Sequence, residues 1–274
     1  MTDRYAVIGN PISHSQSPLI HTEFAQAQGD SIQYDLLFAE IGGFDDVVRR
    51  FVAEGGLGLN VTLPFKGDAF RFATEVSERA RAAEAVNTLL FHPDGRVYGD
   101  NTDGVGLVRD IKDNLDVAIA GQRILILGAG GAVRGVLAPL LEEKPAAVTI
   151  ANRTLIRAQA LAHQFAAWGE CRAVSYDALG GESFDIVINA TPTSLNDEMP
   201  PLPHGVFGPR TLAYDMVYSK GLTPFLRRAQ AENAGMLADG LGMLVEQAAE
   251  SYAIWRGVHP ATHKVTHLLR EVLS

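Results

Sequence analysis

Two short stretches in the middle of this chain carry residue types that together suit phosphate chemistry. In RILILGAGGAVRG, residues 123–135, a strand-like apolar run leads into Gly128-Ala129-Gly130-Gly131-Ala132 and then into helical sequence. Glycines allow a tight turn and close backbone approach to a pyrophosphate, and the helix N-terminus adds free N–H groups and a positive dipole end. Val133 stands at the third fingerprint position, where Gly or Ala gives the closest helix packing, so a slightly wider helix-to-strand spacing is expected. The end of the next strand selects the dinucleotide: an Asp or Glu there would hold the ribose 2′-hydroxyl of NAD. This chain has Asn152-Arg153-Thr154 instead, with Arg157 one turn on. Arg153 can pair with a 2′-phosphate, Asn152 and Thr154 can donate to its oxygens, and Arg157 can add charge or stack on adenine. The pattern predicts an NADP (NADPH) site. The competing account makes Thr154 a helix cap and leaves both arginines solvated; the glycine loop at this distance favours the phosphate.

Four further stretches place polar groups beside apolar runs: SHSQSP at 13–18, NVTLPFK at 60–66, AVNT at 85–88 and GDNTDG at 99–104. Loops that follow strands are where such groups meet ligands. Each also has a local explanation. Ser17 before Pro18 suits a helix N-cap, Asn87 a turn and Asp103 a cap, while a lysine beyond a strand is usually solvated.

The elements that must position these residues read as α/β throughout. Residues 5–9, 32–38 and 57–63 are strand-like, with helical stretches near 18–29, 43–54 and 64–85. VNTLLFH and RVYG form a hairpin about Pro93-Asp94-Gly95. From residue 104 to 239 the strands RILILG, AVTIAN, AVSY, FDIVINAT and TLAYDMVY alternate with helical segments, the rhythm of parallel βαβ units in a Rossmann-type doubly wound sheet. Helical stretches 241–256 and 260–273 have no further strand to feed and are expected to return to the first domain. The expected organisation is a substrate domain at 1–103 completed by 240–274, and a dinucleotide domain at 104–239. The one long irregular stretch, TPTSLNDEMPPLP, follows a strand's carboxyl end, where ligands bind in such sheets.

Composition narrows the class. The 274 residues are 47% hydrophobic and 20% charged, an ordinary globular balance. A net charge of −9 and the lack of any concentrated basic stretch argue against nucleic acid as a partner. Cys171 is the only cysteine, and no signal peptide or membrane-length apolar run is evident, so a reducing cytoplasm is expected. His259, His263 and His267 recur every four residues and could share a helix face, but no carboxylate accompanies them in a metalloprotease pattern, and no metal is expected.

Taken together in order, SHSQSP, NVTLPFK, AVNT, GDNTDG, GAGGA, NRT and ADGLGMLVEQAA resemble the shikimate dehydrogenase family, from Gly9 to about Gly257. The resemblance implies NADP-linked, reversible reduction of 3-dehydroshikimate to shikimate on the route to the aromatic amino acids. It implies that Ser15 and Ser17 hold the substrate carboxylate, helped by the helix that follows, with Tyr218 a third contact. Thr62, Lys66, Asn87, Asp103 and Gln247 would surround the ring hydroxyls and the reacting carbon, and Met216 and Gly240 the nicotinamide end. Many relatives have lysine where this chain has Gln16, between the two serines. Hydride delivery to a ketone makes a developing alkoxide, which needs a proton donor; Lys66, held by Asp103, is implied as that catalytic pair. Monomer and homodimer both remain open. Two rival readings are a quinate/shikimate dehydrogenase of broader range, often NAD-linked, for which an acidic residue at position 153 would be the cue, and a non-catalytic metabolite sensor, which would have no need of Lys66 or Asp103.

Overall fold

The computed structural model describes residues 2–196 and 198–273. The chain divides into two compact units, Met1–Gly106 with Val245–His267 and Leu107–Leu244 with Leu268–Ser274.

In the first unit the chain runs β1 (Asp3–Gly9), α1 (Ser17–Gln28), β2 (Ile32–Phe38), α2 (Phe44–Ala53), β3 (Gly56–Val61), α3 (Lys66–Phe72), β4 (Glu75–Val76), α4 (Glu78–Ala83), β5 (Thr88–Phe91), β6 (Val97–Asp100) and the start of α5 (Asp103–Arg109). Its six strands form one sheet in the order β2-β1-β3-β5-β6-β4. β1 pairs parallel with both β2 and β3, whereas β5 runs antiparallel to β3 and β6. The hairpin expected about Pro93-Asp94-Gly95 is the β5–β6 connection, and Gly95 has φ +88° there. One face of the sheet buries Ile8, Leu59, Val61, Phe65 and Leu89 against Phe44, Val48 and Phe51 of α2. Burial of side chains of this size is worth roughly 1.5 to 3 kcal/mol each.

The helix expected over residues 64–85 is broken. Ala73 is extended, β4 pairs with β6, and Ser77 restarts the chain as α4 by accepting the Ala80 N–H at 3.1 Å. Strand pairing here outweighs the helical propensity of the alanines on either side. Lys66 therefore heads a helix, beyond the end of β3 at Val61, and does not end a strand.

The second unit holds β7 (Arg123–Leu127), α6 (Gly131–Glu142), β8 (Ala147–Ala151), α7 (Leu155–Gln164), β9 (Cys171–Val174), β10 (Ile186–Asn189), β11 (Leu212–Asp215), α8 (Pro224–Ala231) and β12 (Met236–Asp239). The sheet order is β12-β11-β10-β7-β8-β9, with every pair parallel, which is the doubly wound order with its switch point between β7 and β10. Its central strands are nearly continuous apolar runs because both faces are covered. Helices do not fill every crossover. Tyr176–Leu179 and Pro192–Asn196 are short 3₁₀ segments between β9, β10 and β11, in stretches punctuated by Gly180-Gly181 and by several prolines. The irregular loop after β10 includes Asp197, which lies outside the described residues.

Two last helices, α9 (Leu241–Arg256) and α10 (His263–Val272), match the terminal helical stretches read from the sequence. Val245–His267 belongs to the first unit, where Trp255 Nε1 donates to Leu89 O at 2.9 Å and Arg79 donates to Glu250 at 2.9 Å. The chain after His267 groups with the second unit instead, because Arg270 grips Asp239 at 2.6 and 2.7 Å, so the segment that completes the first unit is shorter than 240–274. His259 precedes α10 while His263 and His267 lie on it, and all three are exposed. Only His263 and His267, four residues apart on α10, can share a helix face. No helix is long and apolar enough to cross a membrane among the described residues.

Candidate active site

In the first unit, the carboxyl end of β3 and the following turn bring Lys66 to Asp103, the first residue of α5. Lys66 Nζ donates to Asp103 Oδ2 at 2.5 Å, with the two side chains 28% and 15% exposed. That much cover removes the freely solvated lysine as the account of this residue. The other carboxylate oxygen, Oδ1, accepts from Asn87 Nδ2 at 2.8 Å. Both oxygens of Asp103 are thus engaged by donors from different elements, which fixes the carboxylate plane and the ammonium with it.

Asn87 is buried and hydrogen-bonded through both ends of its amide. Its Nδ2 also approaches Thr102 Oγ1 at 2.9 Å and Gln247 Oε1 at 3.3 Å, while its Oδ1 accepts from Thr102 N and Thr88 Oγ1, each at 2.9 Å. Behind it, Thr88 Oγ1 meets Ser251 Oγ at 2.7 Å, and Asn60 Nδ2 donates to Ser251 Oγ at 3.0 Å. Asn60, Asn87, Thr88, Thr102 and Ser251 are all buried. Buried polar groups satisfied in this way make a rigid backing for the half-exposed groups in front of them.

Ser15 and Ser17 are partly buried at the start of α1. Ser15 Oγ donates to Ser17 Oγ at 3.1 Å and accepts from Ser17 N at 3.3 Å. The helix starts at Ser17 with Gln16 as its N-cap residue, so the Ser17 hydroxyl does not serve as the cap. On β2, the Tyr34 hydroxyl donates to Asn60 Oδ1 at 2.6 Å. Thr62 follows β3, with its N–H bound to Ile8 O at 3.0 Å. A Cβ on Gly9 would stand 2.5 Å from Thr62 Cγ2, so only glycine lets β1 end this close to it. Ser15, Ser17, Thr62, Lys66, Asn87, Asp103 and Gln247 all belong to this unit, and hydrogen bonds connect Lys66, Asp103, Asn87 and Gln247 directly.

The second unit carries the dinucleotide-type turn. Gly128 has φ +110°, a conformation side chains rarely adopt, and a Cβ there would press on Thr191 Cγ2 at 3.2 Å. Gly130 and Gly131 are exposed, and a Cβ on either would meet nothing within 4 Å. That open space over the first N–H groups of α6 fits a pyrophosphate. Ala129 and Ala132 keep the loop small, and Val133 is fully buried under it. After β8, Asn152 Nδ2 donates to Thr154 O at 2.9 Å, and the Thr154 side chain makes no cap hydrogen bond to α7. Arg153 and Arg157 are exposed, and neither is paired with a carboxylate among the described residues. Two available guanidiniums and a threonine that does not cap leave the helix-cap account of this segment without its hydrogen bond.

Met216 and Gly240 meet at the ends of β11 and β12: a Cβ on Gly240 would stand 2.2 Å from Met216 O, so glycine alone permits the approach. Asp215, just before, is buried and accepts from Thr223 Oγ1 at 2.6 Å, Ser194 Oγ at 2.7 Å and Asn189 Nδ2 at 3.1 Å; burial pushes its pKa up and these donors oppose the rise. Tyr218 lies in the same turn, its phenol pKa raised by burial and then by the charge of Asp239.

Three models of shikimate dehydrogenase segments match this chain: the substrate binding domain over residues 7–89, shikimate/quinate 5-dehydrogenase over 109–196 and the C-terminal domain over 240–270. A shikimate dehydrogenase (NADP(+)) of Chromobacterium violaceum is 76% identical over 274 residues, covering 100% of both chains. The chain belongs to the shikimate dehydrogenase family. Among solved structures, an Ael1 enzyme from Pseudomonas putida is 50% identical with a TM-score of 0.93, over 98% of each chain. Shikimate 5-dehydrogenase from Thermus thermophilus, in complex with NADP(H) and shikimate, is 31% identical with a TM-score of 0.88, over 99% of this chain and 100% of that one. Against that shikimate dehydrogenase background, the polar partners not singled out from the sequence are Asn60, Thr88 and Thr102, which lie inside the quoted motifs, and Tyr34, Ser251 and Asp215, which lie outside them. Each is an ordinary residue in its own sequence context, and only pairing in space singles it out.

Proposed function

We propose that this protein is an NADP-dependent shikimate dehydrogenase, catalysing the reversible reduction of 3-dehydroshikimate to shikimate in aromatic amino acid biosynthesis. The observation that carries the reading is the Lys66–Asp103 ion pair, partly covered and braced by buried Asn87. NADPH supplies the hydride to the ketone carbon. Lys66 stands as proton donor to the oxygen that becomes an alkoxide, and as acceptor in the reverse direction. Asp103 keeps the ammonium in place through Oδ2 while Asn87 holds Oδ1.

Ser15 and Ser17 would bind the substrate carboxylate, with Tyr218 as a third contact, and Thr62, Asn87 and Gln247 would bind the ring hydroxyls. Gly128, Ala129, Gly130, Gly131 and Ala132 would hold the pyrophosphate. Asn152, Arg153, Thr154 and Arg157 would hold the 2′-phosphate end, and Met216 with Gly240 would lie at the nicotinamide. A chain with a single cysteine and a nicotinamide cofactor suits the reducing cytoplasm, as monomer or homodimer.

The test is spectrophotometric: shikimate and quinate are each oxidised with NADP and with NAD, following reduced cofactor in the near ultraviolet. The reading expects shikimate with NADP to be the fastest of the four. Comparable rates with quinate or NAD would favour the broader quinate/shikimate enzyme, and binding of shikimate without turnover would leave the sensor.

A further inference from the structure

Asn189 and Asp215 stand opposite each other in the parallel register at the carboxyl ends of β10 and β11, and both are fully buried. Asp215 receives two hydrogen bonds on each oxygen. Its Oδ1 accepts from Asn189 Nδ2 and Val217 N, each at 3.1 Å, and its Oδ2 from Thr223 Oγ1 at 2.6 Å and Ser194 Oγ at 2.7 Å. The donors come from separate pieces of chain: the end of β10, the loop after it, the turn after β11 and the N-cap of α8, where Thr223 Oγ1 in turn accepts from Leu226 N at 3.3 Å. Every donor is neutral. Burying a carboxylate among neutral groups costs solvation, but bonds converging on its two oxygens fix the relative places of the segments that supply them.

Those segments border the dinucleotide-type turn. Asn189 Oδ1 accepts from Thr191 N at 3.2 Å and Thr191 Oγ1 at 2.6 Å. Thr191 Cγ2 is the atom that a Cβ on Gly128 would press at 3.2 Å, so the loop after β10 walls the turn that would hold the pyrophosphate. On the other side, the bond from Val217 N shapes Met216-Val217-Tyr218, where Met216 O leaves no room for a Cβ on Gly240. Buried hydrogen bonds through Asn189 and Asp215 thus join the pyrophosphate turn to the nicotinamide turn within one unit.

We propose that Asp215 is a positioning residue for hydride transfer: it fixes the Met216 turn relative to the Gly128 turn, and so sets where the nicotinamide of NADP lies with respect to its pyrophosphate grip. It acts through the two turns from beneath them. Reacting carbons must meet in close alignment, and a displacement of about 1 Å can cost on the order of 10²-fold in rate. The inference rests on the reading of Gly128 to Ala132 and Met216 as cofactor sites.

The test compares Asp215→Ala, Asp215→Asn and Ser194→Ala with the wild type. Asp215→Ala removes all the acceptor bonds. Asp215→Asn keeps an oxygen for the Asn189 and Val217 N–H groups, while its amide N–H groups face the Ser194 and Thr223 hydroxyls, which can accept. Calorimetry measures binding of NADP and of 2′,5′-ADP, a fragment with the adenine and 2′-phosphate but no nicotinamide, and steady-state kinetics measures shikimate oxidation. The proposal predicts that Asp215→Ala loses roughly 10 to 10²-fold in kcat and binds NADP more weakly, with 2′,5′-ADP unchanged. Asp215→Asn should recover most of kcat, and Ser194→Ala should lose roughly 5-fold, the scale of one neutral hydrogen bond. Wild-type kcat in folded Asp215→Ala, or equal losses of NADP and 2′,5′-ADP, would overturn it. If Asp215→Ala does not fold, Ser194→Ala decides, and wild-type kcat and NADP affinity there would overturn it as well. A wild type without turnover would sink the enzymatic reading, while the ratio of NADP to 2′,5′-ADP affinity across the variants still tests this one.

Discussion

Asn87 Nδ2 and Lys66 Nζ approach opposite oxygens of one carboxylate, Asp103, at 2.8 and 2.5 Å. Two donors on two acceptor atoms leave no place for an amide at this position. Asp103→Asn would set one N–H donor against either Asn87 or Lys66, and the ammonium would lose its fixed direction. Turnover is expected to fall by at least about 10-fold, with cofactor binding unaffected. Steady-state kinetics of the purified variant check this; wild-type turnover would show that Asp103 does not position Lys66.

Arg153 is exposed and carries no carboxylate partner among the described residues, so its guanidinium is available to an incoming phosphate. Arg153→Ala is expected to weaken NADP far more than NAD, since each charge-assisted hydrogen bond to phosphate is worth about 1.5 to 3 kcal/mol. The ratio of the two Michaelis constants measures it. An unchanged ratio would remove Asn152-Arg153-Thr154 as the 2′-phosphate site.

His21 makes a prediction about stability. Its pKa falls from 6.5 to about 3 in the folded chain because burial disfavours the imidazolium. Between those two values the unfolded chain binds a proton that the folded chain does not, so this group lowers stability as the pH falls through that window, by about 1.4 kcal/mol per pH unit. Well above the ordinary histidine pKa, His21 adds no pH dependence. Denaturant midpoints followed from neutral to mildly acidic pH should therefore fall more steeply in the wild type than in His21→Phe. Parallel curves would contradict the buried neutral imidazole.

How far the molecule is legible in its sequence follows the range of the constraint. Gly128 can be read because a turn at φ +110° excludes side chains, and the β5–β6 hairpin because Gly95 needs a positive φ. Motifs single out Lys66, Asn87 and Asp103, and the structure shows them hydrogen-bonded in series. Asn60 and Ser251 stand 191 residues apart, and neither polar residue signals its partner, so their pairing emerges only with the fold. The break between α3 and α4 is hidden for a related reason: β4 is two residues long, too short to register as a strand period, and is held by β6. Tyr34 shows the same limit, a tyrosine on an otherwise ordinary strand whose pairing with His21 and Asn60 appears only in the fold.

The most direct test of the account is Lys66→Ala, purified, shown to be folded, and assayed for shikimate oxidation by NADP alongside calorimetric binding of shikimate. Lys66 as the proton-transfer group predicts a loss of roughly 10² to 10⁴-fold in kcat, the usual worth of a positioned acid or base, with the shikimate Kd changed far less. A folded variant that keeps wild-type kcat would contradict the assignment, and one that loses only substrate affinity would make Lys66 a binding residue.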